Sequence, residues 1–374
     1  MSLKDRLATA SHYARGGDIA RRFGVLENPF PASNQTTNNP HFPLPSDDEI
    51  DARVESFVRD KRSQVIVILG TQGIGKTNVL NHYERVLKRE LDEIGGFYVV
   101  RYLADPEASF DSTLRRLFQE LGVEHLMKLG KLLNEGDTDT ALEQARGHEV
   151  RVALRKLAQS DGDEVVATAL NEWFMGIRLL KHHREVLGVN FRLDTVESKT
   201  AAFRDLVLVS SAAKLLNGIF LLLDEIEKQD GVLSATGVNR YLSSLRAIMD
   251  ALPNHLFMMI AMTPDALRRY SLAVPAFRSR LENRIGLLPI DSLDEAINLA
   301  NFYIDDARHK AEQEADTKSG DFEPLVSHDQ IMATFAASMD RARKRGDSGV
   351  NQREYLHNLH LLAESAIQRA QKER

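Results

Sequence analysis

An apolar run that leads into a glycine-rich segment constrains this chain more than any other stretch of its sequence. Residues 65–69 are all apolar, and Gly-Thr-Gln-Gly-Ile-Gly-Lys-Thr follows at 70–77 before a helical pattern begins. A largely β-branched run of this kind is typical of a buried parallel strand. The order of strand, glycine-rich loop and helix therefore predicts an α/β fold built on a parallel sheet.

The segment 70–77 fits the pattern G-x-x-x-x-G-K-[ST], in which each residue type serves phosphate binding. Several backbone N–H groups must meet phosphate oxygens at once, and Gly70, Gly73 and Gly75 allow the tight curl that this needs. We expect Lys76 to reach the β- and γ-phosphates of ATP and the Thr77 hydroxyl to ligate Mg²⁺. The predicted nucleotide-binding residues are Gly70, Thr71, Gln72, Gly73, Ile74, Gly75, Lys76, Thr77 and Asn78. The alternative is a glycine-rich turn without a ligand.

Composition narrows the class of protein. The 374 residues suffice for roughly two or three domains, and 43% hydrophobic and 27% charged residues are ordinary for a globular chain. The absence of cysteine excludes disulfides and thiolate metal sites. We expect a cytoplasmic protein without membrane contact, since no apolar run is long enough to cross a bilayer and the first residues do not begin a signal peptide. A net charge of −6 does not indicate nucleic-acid binding, although a local basic stripe would be enough for it.

A second buried strand is predicted at 218–224, and it ends in two carboxylates. Such a strand can deliver Asp224 beside the glycine-rich loop, where it would hold Mg²⁺ through water. Glu225 is suited to orient and deprotonate an attacking water molecule. The alternative is a strand that merely ends in an acidic helix cap.

A third apolar run, 256–262, ends at Thr263, which is our candidate for contact with the γ-phosphate or the attacking water. Thr263 also suits a helix N-cap ahead of Pro264, and both roles are compatible. The arginine-dense segment 275–284 follows. A guanidinium there would stabilise charge on a neighbouring subunit's γ-phosphate, with Arg280 preferred and Arg278 second. The alternative is a surface helix with ordinary salt bridges.

The remaining chain is predicted to be mostly helical outside two further strands, at 97–103 and 286–290. Residues 28–30 are either part of a flexible linker or a contact for adenine. Arg353 lies in the first turn of a helix near the end of the chain, from which it would reach back to the nucleotide.

A basic run at 178–184 is either a solvated helix face or a surface for DNA or a partner protein. The predicted division is an N-terminal helix and irregular segment (1–45), the first part of the core with the loop (46–121), a helical insertion (122–216), the second part of the core (217–291) and a helical lid (292–374).

Together these motifs resemble an AAA+ ATPase, a P-loop NTPase with a parallel sheet, here with a large helical insertion and a C-terminal all-α lid. The resemblance rests on the loop at 70–77, the acidic strand end at Asp224, Thr263, the arginines at 278–284 and Gly-x-x-x-Arg353. The lid is similar to that of origin-recognition ATPases and transposition regulators. The resemblance implies homo-oligomeric rings or filaments with ATP at subunit interfaces. It also implies work on duplex DNA alongside a nuclease, methyltransferase or transposase.

A narrower resemblance links the chain to the ATP-binding proteins of BREX-type phage-defence loci. It rests on Trp173-x-x-Gly176, on Leu-Gly-Val at 187–189 and on the segment 217–225. From these motifs we expect an ATPase that couples assembly to DNA or to control of a partner enzyme. The alternatives are a nucleotide-operated switch that acts through protein contacts alone and a subunit that holds ATP without cleaving it.

Overall fold

A five-stranded parallel sheet organises the computed structural model, which describes residues 17–32, 39–103, 110–227, 234–315 and 322–373. The strands are β1 (Gln64–Leu69), β2 (Phe97–Leu103), β3 (Gly218–Asp224), β4 (Leu256–Met262) and β5 (Arg284–Gly286). Their order is β2-β3-β4-β1-β5, and all four neighbouring pairs are parallel. The predicted fold class, α/β with a parallel sheet, is confirmed.

Helices connect the strands and make up most of the remaining described chain. In chain order they are α1 (Gly17–Phe23), α2 (Pro45–Asp60), α3 (Lys76–Ile94), α4 (Phe110–Glu135), α5 (Thr138–Leu142), α6 (His148–Gln159), α7 (Glu164–Phe174), α8 (Lys181–Leu187), α9 (Val196–Ala212), α10 (Ala235–Ala251), α11 (Pro264–Ala273), α12 (Pro275–Arg278), α13 (Leu293–Ala315), α14 (His328–Arg345) and α15 (Gln352–Lys372). No helix among the described residues is both long and apolar enough to cross a bilayer.

The central strands are apolar because both faces of the sheet are covered. Every residue of β3 and β4 is buried, including Asp224. Strand β5 lies at the sheet edge and exposes Arg284 and Gly286. Since the strands are parallel, β1, β3 and β4 all end at the same edge of the sheet. Ligands of open α/β sheets bind outside that edge.

The predicted bounds of the last strand are wrong. The last strand is Arg284–Gly286 and not 286–290, because Leu288 is exposed and Pro289 has no N–H to donate; Ile290 instead exchanges backbone hydrogen bonds with Val350. Helix α4 consists of two helical segments divided by a kink at Gly122, where φ is 71°. Its apolar spacing resumes beyond the kink, so the second part buries a face of its own.

The chain packs as two compact units. The first, here called the lid unit, comprises the described parts of Met1–Leu44, Gly70–Val79 and Leu287–Arg374. The second, the sheet unit, comprises Pro45–Leu69 and the described parts of Leu80–Gly286. The predicted division placed the loop with the core, whereas this grouping places it with the lid helices. The predicted boundaries of the five segments stay a prediction.

The core of the sheet unit continues from the sheet into the helical insertion. Phe118 stacks on Phe174 with ring centroids 5.1 Å apart, and Phe203 meets Phe118 edge to face at 5.4 Å. All three side chains are buried in the same cluster as the strand residues Val100 and Leu221. The insertion is therefore packed as an extension of the sheet's own core.

The core of the lid unit includes the irregular segment after α1. Phe30 is buried and stacks near Tyr303, and the Asn28 side chain donates to the His360 carbonyl at 3.0 Å. The linker interpretation of residues 28–30 is therefore wrong, because these residues are packed against α13 and α15. Most of the predicted N-terminal helix lies outside the described residues, as do residues 33–38 of the irregular segment and residues 316–321 of the predicted lid.

Candidate nucleotide-binding site

Two glycines of the loop 70–77 have left-handed backbone conformations. Gly73 and Gly75 have φ of 81° and 115°, values that residues other than glycine rarely adopt. The Lys76 ammonium donates hydrogen bonds to the carbonyls of Gly70 and Thr71 at 2.9 and 3.0 Å. The cation is therefore held against the backbone of the loop itself, and Thr77 follows in the first turn of α3.

The start of the last lid helix, α15, lies directly against this loop. The Asn351 side-chain amide donates to the Gln72 carbonyl, and the Arg353 backbone N–H donates to the Gly73 carbonyl at 3.1 Å. A Cβ atom added to Gly75 would lie 2.8 Å from the Gln352 side-chain oxygen. Two loop carbonyls are thus satisfied by the lid. Occupying these carbonyls favours anion binding, because free carbonyl oxygens repel an anion whereas N–H groups attract it.

Asn78 serves the packing of the lid unit. Its side chain lies 2.7 Å from His41 Nδ1 and donates to the Pro40 carbonyl at 3.0 Å. It joins the first turn of α3 to the irregular segment 39–41. The Arg353 side chain, predicted to reach the nucleotide, is exposed beside Gly73.

In the sheet unit, the acidic strand end is built around a buried ion pair. Asp224 is 1% exposed, and its Oδ2 accepts a hydrogen bond of 2.8 Å from Arg101 of the neighbouring strand β2. Its Oδ1 accepts from the backbone N–H of Glu225 at 2.9 Å. A buried carboxylate must be paired, and Arg101 is the group that does it.

Glu225 stands in a left-handed backbone conformation with φ of 53°. For a residue with a side chain this conformation costs about 1–2 kcal/mol, and such strain collects at functional sites. The Glu225 side chain is half-buried directly after the strand. Lys61, Asp161, Lys214 and His255 share this conformation, and the role of Glu225 as a base stays a prediction.

The other predicted catalytic residues are Thr263, Arg280 and Arg278. For Thr263 and Arg280 the structure shows the alternative roles, a helix N-cap and a surface salt bridge. The Thr263 hydroxyl accepts from the Ala266 N–H at 3.2 Å, so Thr263 is the N-cap of α11. Arg280 donates to Asp250 at 2.5 Å and remains half-exposed. Arg278 is exposed. The γ-phosphate and intersubunit roles of these three residues stay predictions.

The donor chemistry fits a magnesium ion. Mg²⁺ prefers oxygen ligands and keeps several of its waters, and Thr77 and Asp224 offer a hydroxyl and a carboxylate. Each Asp224 oxygen uses one lone pair for the bonds described above and has another available. The Thr77 hydroxyl and the Asp224 carboxylate are thus each of a ligand type that Mg²⁺ takes.

Sequence reasoning missed Arg101, Asn351 and Gln352. A signal existed for Arg101, since a single charge within an apolar parallel strand needs a buried partner. Asn351 carried only the signature of a helix N-cap, and its side chain does accept from the Arg353 N–H at 3.0 Å. Nothing local indicated that the same side chain binds a loop 279 residues away.

No family model matches this sequence, and no curated protein matches it significantly. Three solved structures align with most of this chain. The ORC2 protein of Aeropyrum pernix, in ADPNP and ADP complexes, aligns with a TM-score of 0.42 at 13% identity over 89% of this chain and 72% of its own. The ORC1 protein of Aeropyrum pernix, in complex with DNA, aligns with a TM-score of 0.41 at 12% identity over 92% and 71%. Cdc6p of Pyrobaculum aerophilum aligns with a TM-score of 0.40 at 13% identity over 85% and 67%.

These likenesses concern the fold alone. The resemblance to BREX-type proteins stays a prediction.

Proposed function

We propose that this chain is a Mg²⁺-dependent ATPase of AAA+ type that couples nucleotide-dependent self-assembly to DNA binding or to control of a partner DNA-processing enzyme. The observation that carries the proposal is the backbone of the glycine-rich loop. Gly73 and Gly75 take up left-handed conformations and Lys76 lies against the loop. Glycine in these conformations leaves room for the close approach of a polyphosphate.

In the proposed reaction a water molecule attacks the γ-phosphorus of ATP. The bond from that phosphorus to the bridging oxygen breaks, and ADP leaves with the electron pair. Glu225 orients the water and accepts its proton, while Lys76 stabilises charge on the β- and γ-phosphates. Thr77 and Asp224 would hold Mg²⁺, which supplies charge neutralisation on the phosphates when bound.

The test of ATP binding compares Lys76→Ala with Lys88→Ala. Both lysines lie on α3, but Lys88 is paired with Glu84 on an exposed surface. We expect Lys76→Ala to weaken binding of a fluorescent ATP analogue at least about tenfold, and Lys88→Ala to leave it unchanged. Equal binding by both variants would remove the loop from the proposal.

Assembly and the role of Arg280 are tested by light scattering. Mass is measured without nucleotide, with ADP and with a non-hydrolysable ATP analogue, each with and without duplex DNA. We expect ATP-dependent assembly that Arg280→Ala abolishes. A monomer under every condition would exclude the intersubunit arginine.

DNA binding is tested separately by fluorescence anisotropy across salt concentrations. Binding through phosphates weakens steeply as salt rises, because counterions are released from the DNA. Absence of such binding, with ATP turnover intact, would favour the switch that acts through protein contacts alone.

A further inference from the structure

A groove of about 590 Å³ lies in the helical insertion, beside the basic run that the proposed ATPase reaction does not use. Its lining includes the buried Trp173 and three exposed apolar side chains. Phe191 is 74% exposed, Leu180 62% and Ile177 43%. Single exposed apolar residues are ordinary on a protein surface, but three large ones around one concavity indicate a binding surface.

The groove has a fixed wall. Trp173 donates its indole N–H to the Phe191 carbonyl at 2.8 Å, and the Glu149 carboxylate accepts from the Phe191 N–H at 3.2 Å. Arg192 donates to the Gly176 carbonyl at 2.7 Å. The backbone that carries Phe191 is thus held from three directions. Because this surface is already ordered, binding a ligand costs the protein less conformational entropy.

The lining is positively charged. Arg178, Lys181, Arg184 and Arg192 all line the groove, and none of its lining residues is acidic. The Lys181 ammonium lies 3.8 Å from Glu185, but both side chains are more than half exposed, so water screens that pair. An anionic ligand would therefore be attracted to the groove.

We propose that this groove docks a short acidic segment of a partner protein that also carries large apolar side chains. Charge complementarity selects the acidic character, and the exposed Ile177, Leu180 and Phe191 select the apolar anchors. The volume lies within the range of pockets that enclose a small ligand or a few residues of a peptide.

Single-stranded nucleic acid fits the groove less well. Non-specific binding of single strands depends on aromatic side chains on which successive bases stack. Of the three exposed apolar side chains at the groove, only Phe191 is aromatic, whereas the aliphatic Ile177 and Leu180 suit apolar side chains of a peptide.

This inference adds a kind of partner to the proposed ATPase function, but peptide docking at the groove does not require ATP binding. Lys76→Ala is therefore expected to bind the same peptides as the unchanged chain. Failure of peptide docking and failure of nucleotide binding are thus separate results.

The test selects from a displayed random-peptide library on the full chain and measures the enriched peptides by anisotropy. We expect peptides with several Asp or Glu residues and at least one large apolar residue. Their affinity should fall at least about tenfold in Arg184→Glu and in Phe191→Ser. It should also fall as salt rises.

Two control variants change exposed residues of the sheet unit that do not line the groove. Arg59→Glu reverses an arginine whose side chain is 72% exposed, and Leu272→Ser removes an apolar residue that is 74% exposed, equal to Phe191. Both should bind the peptides normally, and thermal unfolding checks that all variants fold. No enrichment, enrichment of non-acidic peptides or equal binding by the groove variants would overturn the proposal. Oligothymidine binding that depends on Arg184 and Phe191, without peptide binding, would overturn it in favour of a nucleic acid.

Discussion

Arg101 on β2 donates a hydrogen bond of 2.8 Å to Asp224 at the end of β3, and both side chains are almost fully buried. Arg101 also lies 3.9 Å from Glu84 on α3. Asp224, which is proposed to bind Mg²⁺, therefore already forms an ion pair with Arg101 of the same unit. This pairing fixes the orientation of the Asp224 carboxylate and makes Arg101 a positioning residue.

Removing this cation should destabilise the fold. Arg101→Met leaves Asp224 buried without a charged partner, which we expect to lower the free energy of unfolding by about 3 kcal/mol. Adding Asp224→Asn should recover part of the loss, because the stranded charge disappears. Urea unfolding measures both, with Arg59→Met as the exposed control. A loss no larger than that of the control would mean that the ion pair is unimportant.

The contact between lid and loop should control nucleotide release. Asn351→Ser keeps a side-chain oxygen for the helix cap but removes the amide that donates to Gln72. Losing one such bond is expected to accelerate release of a fluorescent ATP analogue about three- to tenfold in stopped-flow measurements.

The matched control for this variant is Asn358→Ser. Asn358 lies on the same helix but donates to Ser338 within the lid. It should leave the release rate unchanged. If both variants release nucleotide equally fast, general loosening of the lid explains the effect and the Asn351 contact does not.

Glu225→Gln separates binding from hydrolysis. The amide is nearly isosteric but cannot accept the proton of the attacking water, so we expect turnover to fall at least about a hundredfold with nucleotide affinity retained. Phosphate release and equilibrium binding measure the two quantities. Glu90→Gln, on the exposed end of α3, serves as the control. Hydrolysis at the normal rate in Glu225→Gln would assign the base elsewhere.

A buried histidine should make stability depend on pH. His125 lies 2.7 Å from the Tyr98 hydroxyl and 2.9 Å from Ser210 Oγ, and burial, with a smaller contribution from Lys128, lowers its pKa from 6.5 to about 4. Between those values the unfolded chain binds a proton that the folded chain does not. Stability is therefore lost as pH falls from 6.5 to 4, by about 3 kcal/mol at most.

The measurement compares urea unfolding of the unchanged chain and of His125→Gln at pH 7, 5 and 4. Glutamine can still hydrogen-bond but does not titrate. The stability difference between the two proteins should therefore shift in favour of the variant as pH falls. A difference that is the same at every pH would exclude His125 as the source.

The elements best predicted from the sequence are those whose local pattern leaves little choice. Strand β4 coincides with its apolar run, and β3 extends one residue beyond its run at each end, because a parallel strand covered on both faces must be largely apolar. The loop at 70–77 was recognisable because its curl depends on glycine at Gly73 and Gly75. Strand β5 was misplaced since three edge residues have no such pattern.

The sequence by itself thus determined the α/β class, the buried strands and the chemical character of the loop and of the acidic strand end. Only the tertiary structure decided which partners those groups have. Arg101 meets Asp224 across 123 residues of chain, and Asn351 meets Gln72 across 279. Hydrophobic periodicity and local hydrogen bonding act over a few residues, whereas pairing of a buried charge or of a loop carbonyl depends on which strands and helices pack side by side.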